Sequence, residues 1–295
     1  MSDVTYVIVN ADDLGLHPAV LRGVLRGHRA GIITSASLLL NSPYTQEAVE
    51  GTRAAAGLGV GVHLNVLRGA PLLPIDEVKT LVGRDGRFLG SASRFAARYL
   101  RGAISAAEVE REWAAQIERA LSLGVRPSHV DSEKHIHCLP GLFDKACELA
   151  ARYGIRWVRR ISERVSPTRW DAPAMRARLL NASQRLARSS SISTVVRFAD
   201  EVWGIARGGK QLDLDEFKRL CGEGSHRVIE VICHPGDPAP DDPELPEFGA
   251  MRVPASWRTE LERLIGPAGE SLRSDRRFRL VSFRDPELNS AGEMA

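Results

Sequence analysis

Apolar and polar positions along the chain alternate between two periods. Residues 4–10 (VTYVIVN) are mostly β-branched or aromatic, which predicts a buried strand. Pro18 stands where a first helical turn tolerates proline, and Val20, Leu21, Val24 and Leu25 then recur at helical spacing until Gly31. Residues 32–41 (IITSASLLLN) predict a second strand, residues 45–56 a short Ala-rich helix, and residues 59–65 (GVGVHLN) a third strand. Strand, helix, strand, helix, strand is the signature of parallel βαβ units with right-handed crossovers.

The pattern loosens at 66–104, where Gly, Pro and the Gly83-Arg84-Asp85-Gly86 turn predict a long excursion over one face. It sharpens again from Ser105, where Val109, Trp113, Ile117 and Leu121 line one side of a helix closed by Gly124. After the segment Pro127–His137, a helix is expected from Pro140 to Gly154 and a strand over 155–160 (IRWVRR). Residues 161–215 carry helical pieces near 173–188, a Ser-rich link at 189–193 and a short strand near 194–198, and read as an insertion or lid. Further on, the pattern predicts a helix from Asp213 to Cys221, a buried strand at 227–233 (RVIEVIC), a helix at 254–265 and a last strand at 278–283. The expected architecture is α/β: mainly parallel strands in one domain over residues 1–287, with a flexible tail at 288–295.

Composition narrows the choice little. Hydrophobic residues make up 43% and charged residues 26%, as in ordinary globular proteins. The net charge of +3 is too small to argue for nucleic acid. Cys138, Cys147, Cys221 and Cys233 form no CxxC pair, which predicts reduced thiols and a cytoplasmic setting. Met1-Ser2-Asp3 runs directly into the first strand, so no signal peptide is expected, and no apolar run approaches the roughly 18 residues a membrane span needs.

The candidate chemistry sits at strand ends. Asp12 and Asp13 follow the first strand, His63 lies in the third, and His234 follows the late apolar strand. Active sites of open sheets and α/β barrels occupy these carboxyl ends. At extended spacing His129, Asp131, Glu133, His135 and His137 would share one face, an expensive set to bury without a purpose. Asp and His together suit a divalent ion, which acidifies a water. A carboxylate to take its proton and a histidine to protonate a leaving amine complete the parts for amide hydrolysis.

Asn10-Ala-Asp-Asp-Leu-Gly15, Gly61-Val-His-Leu64, the segment from Pro127 to Ser132, and Cys233-His-Pro-Gly236 together resemble the YdjC-like carbohydrate deacetylases, which include chito-oligosaccharide and hopanoid-associated deacetylases. The resemblance covers residues 4 to about 285, with the motifs in the family's order. It implies a distorted (β/α) barrel related to the NodB-like polysaccharide deacetylases, and metal-dependent removal of an acetyl group from an N-acetylated amino sugar. It implies Asp12 as general base, Asp13 and His63 as metal ligands, and His234 as general acid. Arg159, a looser match, would steady a carboxylate or, with His137, touch substrate. The family usually has a histidine two residues after the Asp of the Pro127 segment, where this chain has Glu133. Either Glu133 binds the metal, Zn²⁺ or Mg²⁺, or His135 takes over, or the site is weakened beyond use. The expected partner is a small N-acetylated sugar. A homodimer is left open, and no nucleic acid or membrane anchor is expected. Two rivals stand beside this reading: another amide hydrolase on the same site, such as a deformylase or an antibiotic-tailoring deacetylase, and a non-catalytic sugar- or metal-binding protein.

Overall fold

The computed structural model describes residues 4–186, 195–207, 212–221, 228–244 and 255–290. The Ser-rich link at 189–193 and the end of the tail lie outside these residues. The first units follow the apolar pattern: β1 (Thr5–Leu14), α1 (Pro18–Arg29), β2 (Ser35–Leu38), α2 (Thr45–Thr52) and β3 (Gly59–Leu64). The excursion after β3 contains a 3-10 turn at Ile75–Glu77 and a helix, α3 (Ala92–Leu100). Next come α4 (Ala106–Ser122), β4 (His129–Ser132), a tight turn at Glu133–Cys138, α5 (Leu142–Arg152) and β5 (Trp157–Val158). The remaining elements are α6 (Ala172–Leu186), β6 (Glu201–Trp203), α7 (Leu214–Cys221), β7 (Val228–Cys233), α8 (Ala255–Ile265), α9 (Pro267–Ser274), β8 (Phe278–Leu280) and α10 (Pro286–Ser290).

All the strand pairs are parallel, in the order β5-β4-β3-β2-β1-β7-β6, with β8 on the early part of β1. The sheet curls into a distorted (β/α) barrel. Its two edges approach each other through a parallel bridge between Trp157 and Arg197 and a bond from Val202 N–H to the Ser162 carbonyl, 3.0 Å. No strand forms at 195–198, where one was expected; Arg197 contributes only that bridge. The short β6, within the stretch read as an insertion, is a strand of the sheet itself and pairs with β7.

Alternation along β1 separates two environments. Val7, Val9 and Ala11 join the large core beneath the helices, whereas Ile8 packs with Trp157, Val281, Phe283 and Leu288 in a small separate cluster. Asn10 and Asp12 share the Ile8 side of the strand, so this face passes from apolar to charged toward the carboxyl ends of the strands. The four cysteines form no disulfide and are buried. No helix among the described residues is long and apolar enough to cross a membrane.

The segment 129–137 corrects the sequence reading. The strand stops at Ser132, and Lys134 (φ 51) and His135 (φ 59) take left-handed backbone conformations. The alternation therefore breaks, and the five ionisable residues do not share one extended face. Left-handed backbone costs a non-glycine residue about 1–2 kcal/mol, so the fold holds this turn against a local preference.

Candidate active site

Two adjacent residues of a strand normally point to opposite faces. Asp12 and Asp13 nevertheless line the same cavity, because Asp13 has φ 65 and the β1–β2 register shifts between Ala11 and Leu14. The cavity, about 80 Å³, is also lined by His63, Glu133, Lys134, His135, Arg176, Gly204, Ile232 and His234. Six of the eight residues assigned a role from the sequence thus meet there: Asp12, Asp13, His63, Glu133, His135 and His234. The other two, Arg159 and His137, stand behind it.

Arg159 follows β5 and is buried. Its Nη1 and Nη2 donate to the two oxygens of Asp12 at 2.8 and 2.7 Å, a bidentate clamp. Nε and Nη2 donate to Glu230 Oε1 at 2.9 and 2.7 Å, and Nη2 lies 2.7 Å from Asp131 Oδ2. Burial opposes its charge, but Asp12, Asp131 and Glu230 together hold the guanidinium protonated well above its ordinary range. His137 does not reach the cavity. Its Nε2 donates to the Arg159 carbonyl at 2.9 Å, and its Nδ1 pairs with Ser132 Oγ at 2.5 Å. Burial lowers its pKa to about 4, so it stays neutral and fixes the Arg159 backbone.

His63 is oriented from behind. Nδ1 donates to Asp131 Oδ1 at 2.7 Å, which leaves Nε2 facing Asp13 Oδ1 at 3.5 Å. Burial alone would lower its pKa; Asp131, then Asp12 and Asp13, outweigh that and raise it to about 9. Burial likewise pushes the Asp13 carboxyl up, but His63, His234, Lys134 and Arg68 pull it below the ordinary range. Asp131 is held well below that range against burial by Arg159 and His63. Its second oxygen also accepts from Ser37 Oγ at 2.8 Å. Because Ser37 spends its proton there, the 2.9 Å contact between Ser37 Oγ and His129 requires His129 Nε2 to be the donor. His129 is neutral, its pKa lowered to about 3 by burial. A side chain at Gly61 would bring a Cβ within 2.4 Å of this imidazole, so the glycine two residues before His63 makes room for the ring.

Glu133 is buried, and its Oε1 lies 2.5 Å from Arg68 Nε. Burial raises its pKa despite that cation. His135 is buried with Nδ1 unpartnered, and burial lowers its pKa well below the usual imidazole range. His234 follows β7, with its backbone N–H bonded to Glu260 Oε1 at 3.0 Å. The next residues are pinned by α1, where a Cβ on Gly23 would come within 2.6 Å of Gly236 Cα.

Glu230 went unremarked in the sequence, although a carboxylate inside the apolar run RVIEVIC was a usable signal. Burial raises its pKa to about 7, with Arg159 pulling the other way. With Glu230 protonated, Arg159 faces two charged carboxylates, Asp12 and Asp131, in place of three. Arg68, Lys134 and Arg176 carry no such signal: the first two stand in irregular stretches and Arg176 on helix α6, where an arginine is ordinary.

Donor atoms of Asp12, His63 and Asp131 all lie within 4.8 Å of one another, close enough to hold a metal ion. Both Asp12 oxygens, however, are clamped by Arg159, and Asp131 is engaged by His63, Ser37 and Arg159. Asp13 Oδ1 and His63 Nε2 carry no such clamp and stand 3.5 Å apart beside the cavity, which Glu133 and His135 also line.

Comparison with known proteins matches this architecture over most of its length. A carbohydrate deacetylase of Geobacillus stearothermophilus is 33% identical over 283 residues, covering 95% of this chain and 97% of the relative. A carbohydrate deacetylase of Clostridium beijerinckii is 27% identical over 283 residues, covering 95% and 99%. The crystal structure of a putative cellobiose-phosphate cleavage protein from Enterococcus faecalis superposes with a TM-score of 0.72 at 26% identity, covering 95% of this chain and 98% of that one. The family model described as YdjC-like protein matches residues 6–273, and the chain belongs to that family.

Proposed function

We propose that the protein is a carbohydrate deacetylase that hydrolyses the acetyl group of an N-acetylated amino sugar with the help of a divalent cation. The observation that carries this reading is the convergence of Asp12, Asp13, His63 and His234 on one small cavity, with Asp12 clamped by a buried arginine. The carbohydrate deacetylases among its relatives supply the substrate class.

The donor set fits a cation. His63 Nε2 and Asp13 Oδ1 stand 3.5 Å apart, and the carboxylates that keep a proton on His63 favour a metal ion in its place. Asp131 on Nδ1 orients the imidazole, as carboxylates behind metal-bound histidines do. In this reading Asp13 and His63 hold Zn²⁺ or Mg²⁺, with Glu133 or His135 as the third ligand. When bound, such an ion polarises the amide carbonyl and stabilises charge on its oxygen.

The side chains do the remaining work. Asp12, held by Arg159, accepts the proton of the attacking water as its oxygen bonds to the acetyl carbon. His234, at the end of the neighbouring strand β7 and lining the same cavity, delivers a proton to the sugar nitrogen as the C–N bond breaks, leaving acetate and a free amine. Arg159 keeps both Asp12 oxygens in one orientation, which limits the reorganisation the base undergoes. The residues of the cavity act on the acyl group, and the stretches 66–104 and 161–215 choose the sugar.

Mass spectrometry of a panel of acetylated and formylated amino sugars, incubated with the cation-loaded protein, tests the reading. Loss of acetyl from one sugar class is the expected outcome. Turnover of formyl compounds alone moves the protein to the deformylase reading, and no turnover of any member argues against a hydrolase.

A further inference from the structure

The contact between Arg68 and Glu133 is not a surface ion pair. Side-chain exposure is 15% for Arg68 and 3% for Glu133, and the carboxylate borders the same cavity as Asp13 and His63. The residue that delivers the guanidinium is itself clamped. Arg68 N–H donates to Asn65 Oδ1 at 3.1 Å, and the Arg68 carbonyl accepts from Asn41 Nδ2 at 2.9 Å and Asn65 Nδ2 at 3.0 Å. Asn65 is in turn tied to Gln116 of α4, whose Oε1 accepts the Asn65 N–H at 2.9 Å. A polar network from three elements thus holds the backbone of a loop cation beside the cavity.

On the other side, Glu133 stands at the start of the turn with two left-handed residues. Neither of its oxygens accepts a hydrogen bond of ordinary geometry, so the 2.5 Å contact to Arg68 Nε is essentially electrostatic. Such a contact is strong while the charges are alone and is readily replaced by a denser cation.

We propose that Arg68 and a divalent cation compete for Glu133: the guanidinium holds the carboxylate until an ion displaces it and takes Glu133 as its third ligand beside Asp13 and His63. This rests on the metal-site reading above. Arg68 is thereby a built-in competitor that sets cation affinity.

The test is cation binding by the full chain, stripped with chelator and titrated calorimetrically with Mg²⁺ and with Zn²⁺. Wild type, Arg68→Met, Glu133→Gln and the double variant are compared. The expected result is about tenfold tighter binding for Arg68→Met, weaker binding for Glu133→Gln, and loss of the Arg68→Met gain in the double variant. Equal or weaker binding by Arg68→Met overturns the proposal, as does a gain that persists without Glu133. Should Arg68→Met fail to fold, Arg68→Lys replaces it; a shorter, unforked cation gives a smaller gain in the same direction, and no gain counts against the exchange. Absence of binding by all the proteins, wild type included, overturns the metal site itself. Binding that ignores Arg68 overturns only the exchange.

Discussion

Replacing Glu230 by glutamine isolates the charge balance under the base. The carboxyl is fully buried, with Oε1 on Arg159 and Oε2 accepting no hydrogen bond. Burial raises its pKa from the ordinary 4.5 to about 7, the Arg159 cation opposing. The folded state therefore binds this proton more readily than the unfolded chain does. Its contribution to stability is fully present below the unfolded value and is lost as pH rises through the folded one. A gap from 4.5 to about 7 corresponds to roughly 3 kcal/mol. Glutamine keeps the shape and carries no titrating proton. Urea denaturation of wild type and Glu230→Gln from about pH 4.5 to about pH 8 should therefore show the variant gaining roughly 3 kcal/mol relative to wild type as pH rises. Both proteins share every other titrating group, so the difference curve reports Glu230. A flat difference curve would refute the reasoning: Glu230 would then be ionised throughout, and Arg159 would face the full charge of all its carboxylates.

Other outcomes follow from the same geometry. Asp12→Asn keeps an acceptor for Arg159 and loses the proton-accepting oxygen, so kcat should fall by about 10²–10⁴ while the folded structure and cation binding persist, as circular dichroism and elemental analysis would show. His63→Ala removes Nε2 opposite Asp13, and metal content after reconstitution should drop to background. Gly23→Ala places a Cβ 2.6 Å from Gly236 Cα, where backbone meets backbone and neither yields easily. We expect a loss of about 1–3 kcal/mol in thermal denaturation and a lower kcat, because the loop bearing His234 shifts.

Most of the barrel was legible because its strands are buried on both faces and therefore read as continuous apolar runs, as in β1 and β7. The short β6 was not: Glu201–Trp203 is three residues long, too few for any period. At the site, the strand-end positions of Asp12, His63 and His234 were readable from where apolar runs stop. The left-handed turns at Asp13, Lys134 and His135 were not, since no glycine marks them and tertiary packing imposes them. That is why the spacing of 129–137 predicts one extended face, whereas the strand stops at Ser132. Arg68 stayed hidden for a different reason. Its partner Glu133 is distant in sequence, and only the Asn41–Asn65 network that clamps its backbone brings the two together.

The central claim is that this cavity removes acetyl groups using Asp12 and a divalent ion. Its most direct measurement is acetate release from an N-acetylated oligosaccharide by chelator-stripped protein, the same protein reloaded with Zn²⁺ or Mg²⁺, and reloaded Asp12→Asn. The account predicts release by the reloaded wild type alone. Equal release by the stripped protein, or by Asp12→Asn, would contradict it.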